Sequence, residues 1–193
     1  MQETEIEFKN LLTKEEFDTI HDELFKDIEG TEQINYYVDT DKLDLRNHHL
    51  MLRVREKNNT HTLTLKVPTE AHTVEEFHKP LDQPVNISDV INKDMLSRPM
   101  FLIIRSNLIN RTLKVLGKLT TFRKEIDYNG GTLVLDYSTY LNQEDYEIEF
   151  EVDDASTGEE IFKEFLNTYN INRSETIVKS ERFYRALQSE KGE

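Results

Sequence analysis

The sequence predicts an α+β fold in which a long antiparallel sheet lies beside several helices. Two observations lead to this prediction: apolar residues alternate with polar ones along most of the chain, and the stretches between show helical spacing or helix-capping residues. The eight or nine predicted strands are enough to close a barrel. The 193 residues contain no long linker, so we expect one domain over residues 1–193, with a helical insert at about 86–116.

The chain opens with a predicted strand at residues 3–9, where charged residues alternate with Ile6 and Phe8. A helix is expected next, because Thr13-Lys14-Glu15-Glu16 has the form of a capping box. Apolar residues then follow at helical spacing until Gly30. The order strand, helix, turn is therefore predicted for the first thirty residues.

The middle of the chain reads as strands interrupted by a helical insert. Period-two alternation predicts strands at 33–40, 50–56, 62–67, 73–78, 118–127, 132–137 and 145–152. Residues 86–116 are expected to be helical in two pieces, broken near Pro99 and ended by Gly117. Asn129-Gly130-Gly131 predicts a tight hairpin turn.

Three elements are predicted for the C-terminal part. Ser156-Thr157-Gly158-Glu159 is expected to cap a helix. A short strand is predicted around 176–180, and a final helix from about 181.

Composition narrows the class of protein. The chain is 36% hydrophobic and 32% charged, has a formal net charge of −14, and contains no cysteine. No apolar run approaches the roughly 20 residues of a membrane-spanning helix. We expect no membrane and no nucleic-acid duplex as partner, since duplex binding needs a basic surface. The absence of cysteine is consistent with a cytoplasmic location, which we predict.

One face of each predicted strand is charged. Arg53 and Arg55 share a face opposite Leu52 and Val54, and the strand at 145–152 carries three glutamates at alternate positions. A sheet with one wet face is the ordinary explanation. However, like charges stacked on one strand repel unless a cation neutralises them. A closed barrel with a charged interior would provide carboxylates for a divalent metal and cations for a polyanion.

These motifs, in this order, identify a resemblance. The chain contains Glu5-Ile6-Glu7-Phe8-Lys9 (an ExExK motif), followed by "YYVDT", "LRVRE", "LTLK", "TTFRKE", "LVLD", "YEIEFE" and "VKSERF". The series resembles the CYTH superfamily, also called triphosphate tunnel metalloenzymes, and most closely the small CYTH proteins of Gram-positive bacteria. The resemblance implies a closed eight-stranded antiparallel tunnel with a polar, charged lumen and helices packed on the outside. It also implies Mg²⁺ or Mn²⁺ as cofactor.

The resemblance also assigns roles to individual side chains. The predicted catalytic residues are Glu5, Glu7, Lys9 and Lys179. The residues expected to bind the triphosphate are Lys9, Arg53, Arg55, Lys66, Arg123 and Lys179. The metal ligands are expected to be Glu5, Glu7, Asp136, Glu147 and Glu149, with Glu76 and Glu151 as further candidates. Tyr37 and Asp39 match a recurrent strand of the family, and packing and ligand contact are equally open for them.

The expected function is metal-dependent hydrolysis of a triphosphate or polyphosphate, with water attacking the terminal phosphoryl group. Inorganic tripolyphosphate is the first choice of substrate, because the sequence shows no clear element for recognising a base; nucleoside and thiamine triphosphates stay open. The alternatives are a class IV adenylate cyclase and a non-catalytic module that binds polyphosphate or nucleotides. The sequence leaves the oligomeric state open.

Overall fold

The computed structural model describes residues 2–70, 73–107, 111–174 and 177–192, without the side chains of residues 2–5, 70, 73, 107 and 191. The described part contains eight strands: β1 (Gln2–Leu12), β2 (Thr31–Asp39), β3 (Met51–Lys57), β4 (Thr60–Glu70), β5 (Thr73–Leu81), β6 (Lys114–Tyr128), β7 (Gly131–Tyr140) and β8 (Gln143–Val152). Its α-helices are α1 (Lys14–Ile20), α2 (Asp44–Asn47), α3 (Arg98–Asn107), α4 (Ala155–Thr168) and α5 (Lys179–Lys191). The α+β class with eight antiparallel strands is therefore confirmed. The chain forms two compact units, one of Gln33–Leu119 with the first residues of β1, and one of Glu5–Glu32 with Thr120–Glu193.

The first unit is built on strands in the order β5-β4-β3-β2, each antiparallel to its neighbour. Its apolar core joins one face of these strands to α3 and to the segment before it. The fully or almost fully buried members include Val38, Leu52, Val54, Leu63, Leu65, Met100 and Ile104. The apolar half of the alternation read from the sequence is thus confirmed, because Leu52 and Val54 are both in this core.

The second unit is built on strands in the order β6-β7-β8-β1. Helix α1 continues as a π-helical turn at His21–Phe25. Apolar side chains of the sheet pack on α1 and α4 in a core that includes Phe8, Ile20, Phe25, Leu133, Leu135, Ile148, Phe150, Phe162 and Phe165. One face of this sheet is therefore occupied by helices, and the charged residues point to the other face.

Two local predictions are confirmed in detail. The Thr13 side chain accepts a hydrogen bond from the backbone N–H of Glu16, and the Glu16 carboxylate accepts one from the backbone N–H of Thr13. Asn129 and Gly130 join β6 to β7 with φ values of 45° and 85°. Such left-handed values at both central residues are what a tight hairpin turn requires.

The predicted helical insert at 86–116 is wrong at both ends. Among the residues of this stretch that the structure describes, helix is confined to α3 and a short 3-10 turn at Lys93–Met95. Pro99 lies in the first turn of α3, where proline is tolerated. Residues 111–113 are not helical, and β6 already begins at Lys114 and runs through Gly117. Backbone hydrogen bonds from Ser88 to Val115 and from Ile91 to Leu113 explain the difference, because they hold both segments extended. Residues 108–110 lie outside the described residues.

The C-terminal predictions need two further corrections. Residues 177–178 are not in a strand, and α5 begins at Lys179 rather than 181; Thr176 lies outside the described residues. Helix α4 is capped by Asp154, whose carboxylate accepts from the N–H of Thr157 at 2.9 Å, and not by the Ser-Thr-Gly-Glu stretch. Asp154 competes better because its side chain is ionised.

None of the helices within the described residues has the length and apolar character needed to cross a membrane.

Candidate active site: two clusters of charged side chains

The strand pairing of the second unit sets alternate charges side by side. Lys9 on β1 lies opposite Glu149 on β8, and Glu147 on β8 lies opposite Asp136 on β7. The carboxylates of Asp136, Glu147 and Glu149 are almost completely buried, with residue exposures of 0%, 1% and 3%. Buried carboxylates at this density require cations beside them. We call this group, with the Lys and Arg side chains described next, the acidic–basic cluster.

Lys179 is the central cation of the acidic–basic cluster. It is the first residue of α5, and its Nζ lies 2.5 Å from Glu147 Oε1, 2.6 Å from Glu149 Oε1 and 2.8 Å from Asp136 Oδ2. An ammonium has three N–H donors, which is the number needed for three carboxylate partners. One lysine thus holds together carboxylates from two strands.

Arg123 on β6 binds the same carboxylates from another side. Its Nε and Nη2 donate to the two oxygens of Asp136 at 2.8 and 2.7 Å, and Nη2 also donates to Glu149 at 2.6 Å. Nη1 reaches Glu151 at 3.4 Å. This fork geometry is the one in which guanidinium binds carboxylate or phosphate oxygens most strongly.

Lys9 completes the cluster on β1. Its ammonium donates to the Glu7 carboxylate and lies 3.9 Å from Glu149 Oε1. The side chain of Glu5 lies outside the described residues, so its predicted role stays a prediction.

Arg182 is a member of the cluster that the sequence reading missed. Its Nη1 donates to Glu147 at 2.7 Å, and its Nε donates to Asp145 at 2.6 Å. The signal was present, since Lys179 and Arg182 are three residues apart and so share one face of a helix. The sequence predicts a short strand around 176–180 and a helix only from about 181, so this spacing does not follow from the predicted elements.

The pKa values follow from burial and from these pairs. Burial raises the pKa of Glu147 to about 7, against the opposing effect of Lys179. Burial acts in the same direction on Glu149, but the charges of Lys179, Arg123 and Lys9 hold its pKa well below the usual range. For Lys179, burial would lower the pKa, and the three carboxylates outweigh it and raise the pKa.

The polar face of the first unit carries the other predicted cations. In the strand register Arg53 lies between Tyr37 and Thr64, and Arg55 pairs with Asn35. Arg55 Nε donates to Asn35 Oδ1 at 3.2 Å. Arg53 is 8% exposed, and its buried Nε has no hydrogen-bond partner among the residues that the structure describes. A buried cationic donor left in this way is costly unless a ligand uses it.

Lys66 and Glu76 lie opposite each other on β4 and β5 and form an ion pair. Glu76 Oε2 is also 3.3 Å from His78 Nε2, and His78 Nδ1 is 3.0 Å from Thr64 Oγ1. Glu76, and not Glu75, therefore lies on the face of Lys66. The structure brings Arg53, Arg55, Lys66 and Glu76 to one face of their own sheet.

Asp39 stabilises the backbone at the start of α2. Its carboxylate accepts hydrogen bonds from the backbone N–H groups of Thr40, Leu45 and Arg46 at 2.7, 2.9 and 3.0 Å. These bonds satisfy amides at the start of α2. Tyr37 is 1% exposed on the neighbouring stretch of β2.

Comparison with known proteins identifies the family. A family model described as the CYTH domain matches residues 3–184. The chain belongs to the CYTH family. The resemblance inferred from the ordered motifs is thereby confirmed.

The relatives of this CYTH chain carry two different functional descriptions. A Bacillus subtilis protein named "Putative triphosphatase YjbK" is 40% identical over 185 residues, which is 95% of each chain. A crystal structure from Bacillus halodurans, described as a "putative adenylate cyclase", is 33% identical with a TM-score of 0.80, over 95% of this chain and 98% of that one. The Hippeastrum protein HpAC1, described as having a dominant triphosphatase activity, has a TM-score of 0.73 over 96% of each chain, and at 20% identity it shows the fold alone.

The carboxylates are chemically suitable ligands for a divalent metal. In the present geometry, however, the described residues hold no group of three or more acidic or histidine side chains that could bind a metal ion. Asp136, Glu147 and Glu149 offer only oxygen donors, which are the ligands that Mg²⁺ and Mn²⁺ prefer. Their convergence within 2.8 Å of a single ammonium shows that they can share one cation. In the structure that cation is supplied by Lys179.

Proposed function

We propose that this CYTH chain is a triphosphatase that hydrolyses inorganic tripolyphosphate by preference. The observation that carries the proposal is the density of buried cations and carboxylates on the polar sheet faces, with a buried Arg53 donor that lacks a partner among the described residues. Tripolyphosphate offers acceptor oxygens for such donors. The 40% identical Bacillus subtilis relative, named "Putative triphosphatase YjbK", supports a triphosphatase activity.

The proposal includes the closed, charged tunnel that the resemblance implies, in which the polar faces of the strands line one interior. In support, side chains on the polar faces are buried: Arg53 and Thr64 on strands of the first unit, and Asp136 and Glu147 on strands of the second. Buried charges of both signs would serve a polyanionic substrate better than they would serve folding.

The roles of the side chains follow from their chemistry. Arg53, Arg55, Lys66, Arg123, Lys9 and Lys179 bind phosphate oxygens, the arginines in bidentate fashion and the lysines as point charges. Glu5, Glu7, Asp136, Glu147 and Glu149 would hold Mg²⁺ or Mn²⁺, with Glu76 and Glu151 as further candidates. When bound, such a metal would neutralise phosphate charge and lower the pKa of a bound water.

In the proposed reaction a water oxygen attacks the terminal phosphorus of tripolyphosphate. The bond from that phosphorus to the bridging oxygen breaks, and orthophosphate, pyrophosphate and one proton are released. Cations fixed along the phosphate chain stabilise the charge that moves onto the leaving pyrophosphate. Because these cations are held by buried partners, little reorganisation is needed during the step.

Release of phosphate from tripolyphosphate tests the proposal. We expect turnover with Mg²⁺ or Mn²⁺, and a fall of about a hundredfold in kcat for Glu7→Gln, the size usual for a lost group that prepares the attacking water. Glu164→Gln removes an exposed carboxylate from α4 and serves as the matched control. If the wild type binds tripolyphosphate but shows no metal-dependent turnover, the result would instead indicate a polyphosphate-binding module.

Adenylate cyclase is the second candidate, because the 33% identical Bacillus halodurans protein carries that description. The two activities differ in the nucleophile, which is water in one and a ribose hydroxyl of ATP in the other. Incubation with ATP distinguishes them: ADP with phosphate supports the triphosphatase, and cyclic AMP with pyrophosphate supports the cyclase.

A further inference from the structure

A cavity of about 500 Å³ opens in the second unit between α1 and the sheet face that packs on the helices. It is lined by Lys14, Phe17, Asp18, His21, Phe122, Lys124, Leu135, Tyr137, Glu144 and Tyr146. None of these residues belongs to the acidic–basic cluster, which projects from the opposite face of the same strands. A volume of this size is usual for a small-molecule site.

The walls of the cavity are aromatic. The rings of Tyr137 and Tyr146 are stacked with centroids 5.2 Å apart, and Phe17 is 5.0 Å from Tyr146. Both tyrosine hydroxyls donate to Glu144, at 2.8 and 3.3 Å, and these bonds fix the two rings. Such rigid faces suit another planar ring.

Phe122 adds an exposed ring to this wall. It is 45% exposed although it is a large apolar side chain. Its ring lies directly over Gly30, where a Cβ atom would be 2.3 Å from the ring. The glycine at this position lets the ring lie close to the backbone beside the cavity.

The cavity also contains a cation without a carboxylate partner among the described residues. Lys124 Nζ donates to Phe25 O and to His21 Nε2, both at 2.8 Å. His21 Nδ1 is 3.1 Å from Asp22, which fits a neutral ring whose Nε2 accepts. Two of the three ammonium donors of Lys124 are thus used within the described residues, and the third is available to a ligand.

We propose that this cavity binds a small planar aromatic molecule that carries an anionic group, with the ring against Phe122, Phe17 and the tyrosine pair and the anion on Lys124. Lys124 is the group that would hold the anion. Lys14 is paired with Asp18 at 2.6 Å, and the Glu144 carboxylate, which also lines the cavity, is occupied by the two tyrosine hydroxyls. Lys124, in contrast, is bonded only to neutral acceptors among the described residues. The proposal is independent of the proposed function, since it uses none of the residues placed in the hydrolytic site.

Calorimetric titration with naphthoate, naphthylmethylammonium and cyclohexanecarboxylate tests the two halves of the proposal. Naphthoate has both the ring and the anion, and each of the others lacks one of them. We expect naphthoate to bind about tenfold more tightly than naphthylmethylammonium, which cannot form the charge-assisted hydrogen bond with Lys124. It should also bind about tenfold more tightly than cyclohexanecarboxylate, which lacks the aromatic ring contacts. Equal binding of all three, or no binding of naphthoate, would overturn the proposal.

Variants locate the binding. Lys124→Gln should weaken naphthoate binding about tenfold and leave the binding of naphthylmethylammonium unchanged. Lys26→Gln makes the same charge change at an exposed residue outside the cavity and should have no effect. Phe122→Ala, which truncates a half-exposed ring, should also weaken naphthoate while leaving tripolyphosphate hydrolysis as in the wild type. Equal affinity in Lys124→Gln and Lys26→Gln, or displacement of naphthoate by tripolyphosphate, would place the ligand elsewhere and refute the assignment.

Discussion

Replacement of Arg53 by methionine should make the protein more stable and less able to bind its substrate. Arg53 is 8% exposed, and its buried Nε lacks a hydrogen-bond partner among the described residues. An unsatisfied buried donor costs about 1–3 kcal/mol, and methionine keeps the length of the aliphatic stem. The free energy of unfolding without ligand should therefore rise by about 1 kcal/mol or stay unchanged.

The same variant should lose most of the stabilisation that the substrate provides. Loss of a charge-assisted hydrogen bond of about 2 kcal/mol weakens binding about thirtyfold. At a tripolyphosphate concentration of about 100 times the wild-type Kd, the ligand stabilises the wild type by about 2.7 kcal/mol. At the weakened affinity the same concentration gives about 0.9 kcal/mol.

Urea unfolding with and without tripolyphosphate measures the unfolding free energy of the free protein and its stabilisation by the ligand. A chelator is added so that no tripolyphosphate is hydrolysed. Arg105→Met is the matched control, because Arg105 is an exposed arginine on α3. It should change neither quantity by more than about 0.5 kcal/mol. A loss of stability in Arg53→Met of more than about 1 kcal/mol without ligand, or equal stabilisation of both proteins by tripolyphosphate, would refute the reasoning.

Three further predictions concern charged side chains on the polar faces of the two units. Lys179→Met leaves three buried carboxylates without their shared cation and should cost about 3–5 kcal/mol of unfolding free energy at neutral pH in urea titrations, whereas Lys14→Met, at an exposed pair, should change it little. The pKa of Glu147 is raised to about 7 from 4.5, so between these pH values the native state binds more protons than the unfolded state. The free energy of unfolding should therefore fall as pH rises from 5 to 8, by up to about 3 kcal/mol. Glu147→Gln should remove this pH dependence, and an unchanged slope in the variant would contradict the assignment. Arg55→Ala should raise the KM for tripolyphosphate about tenfold with unchanged unfolding, and identical kinetics would exclude Arg55 from the site.

The parts of the fold that could be predicted are those set by neighbours in sequence. The capping box at Thr13 and the Asn129-Gly130 turn depend on residues at most three positions apart, and both were predicted correctly. The error in the insert arose because Leu113 and Val115 are held extended by hydrogen bonds to residues 88–91, which no local pattern records. Helical spacing and strand alternation are hard to separate over such short stretches.

For the candidate site, too, local patterns could be predicted and contacts between distant residues could not. Period two along a strand was sufficient to predict that Arg53 and Arg55 share a face. Which cation meets which carboxylate depends on strand register and on the placement of α5. Lys9 faces Glu149 across 140 positions of sequence, and Arg182 on α5 reaches Glu147 on β8. The individual pairs therefore could not be read from the sequence.

The pairing of every described carboxylate in the acidic–basic cluster has a consequence for how a polyanion would bind. Lys179 and Arg123 already donate to Asp136 and Glu149, so phosphate oxygens must take over donors that carboxylates now hold. Binding is then an exchange of one anion for another, and it leaves buried carboxylates in need of a cation. A buried carboxylate without a cation is unfavourable by several kcal/mol, so phosphate and a cation would each favour the binding of the other. A site made only of lysine and arginine would have no such coupling. If a polyanion binds here, this difference would give the glutamates of β8 a role in its binding even where they touch no phosphate.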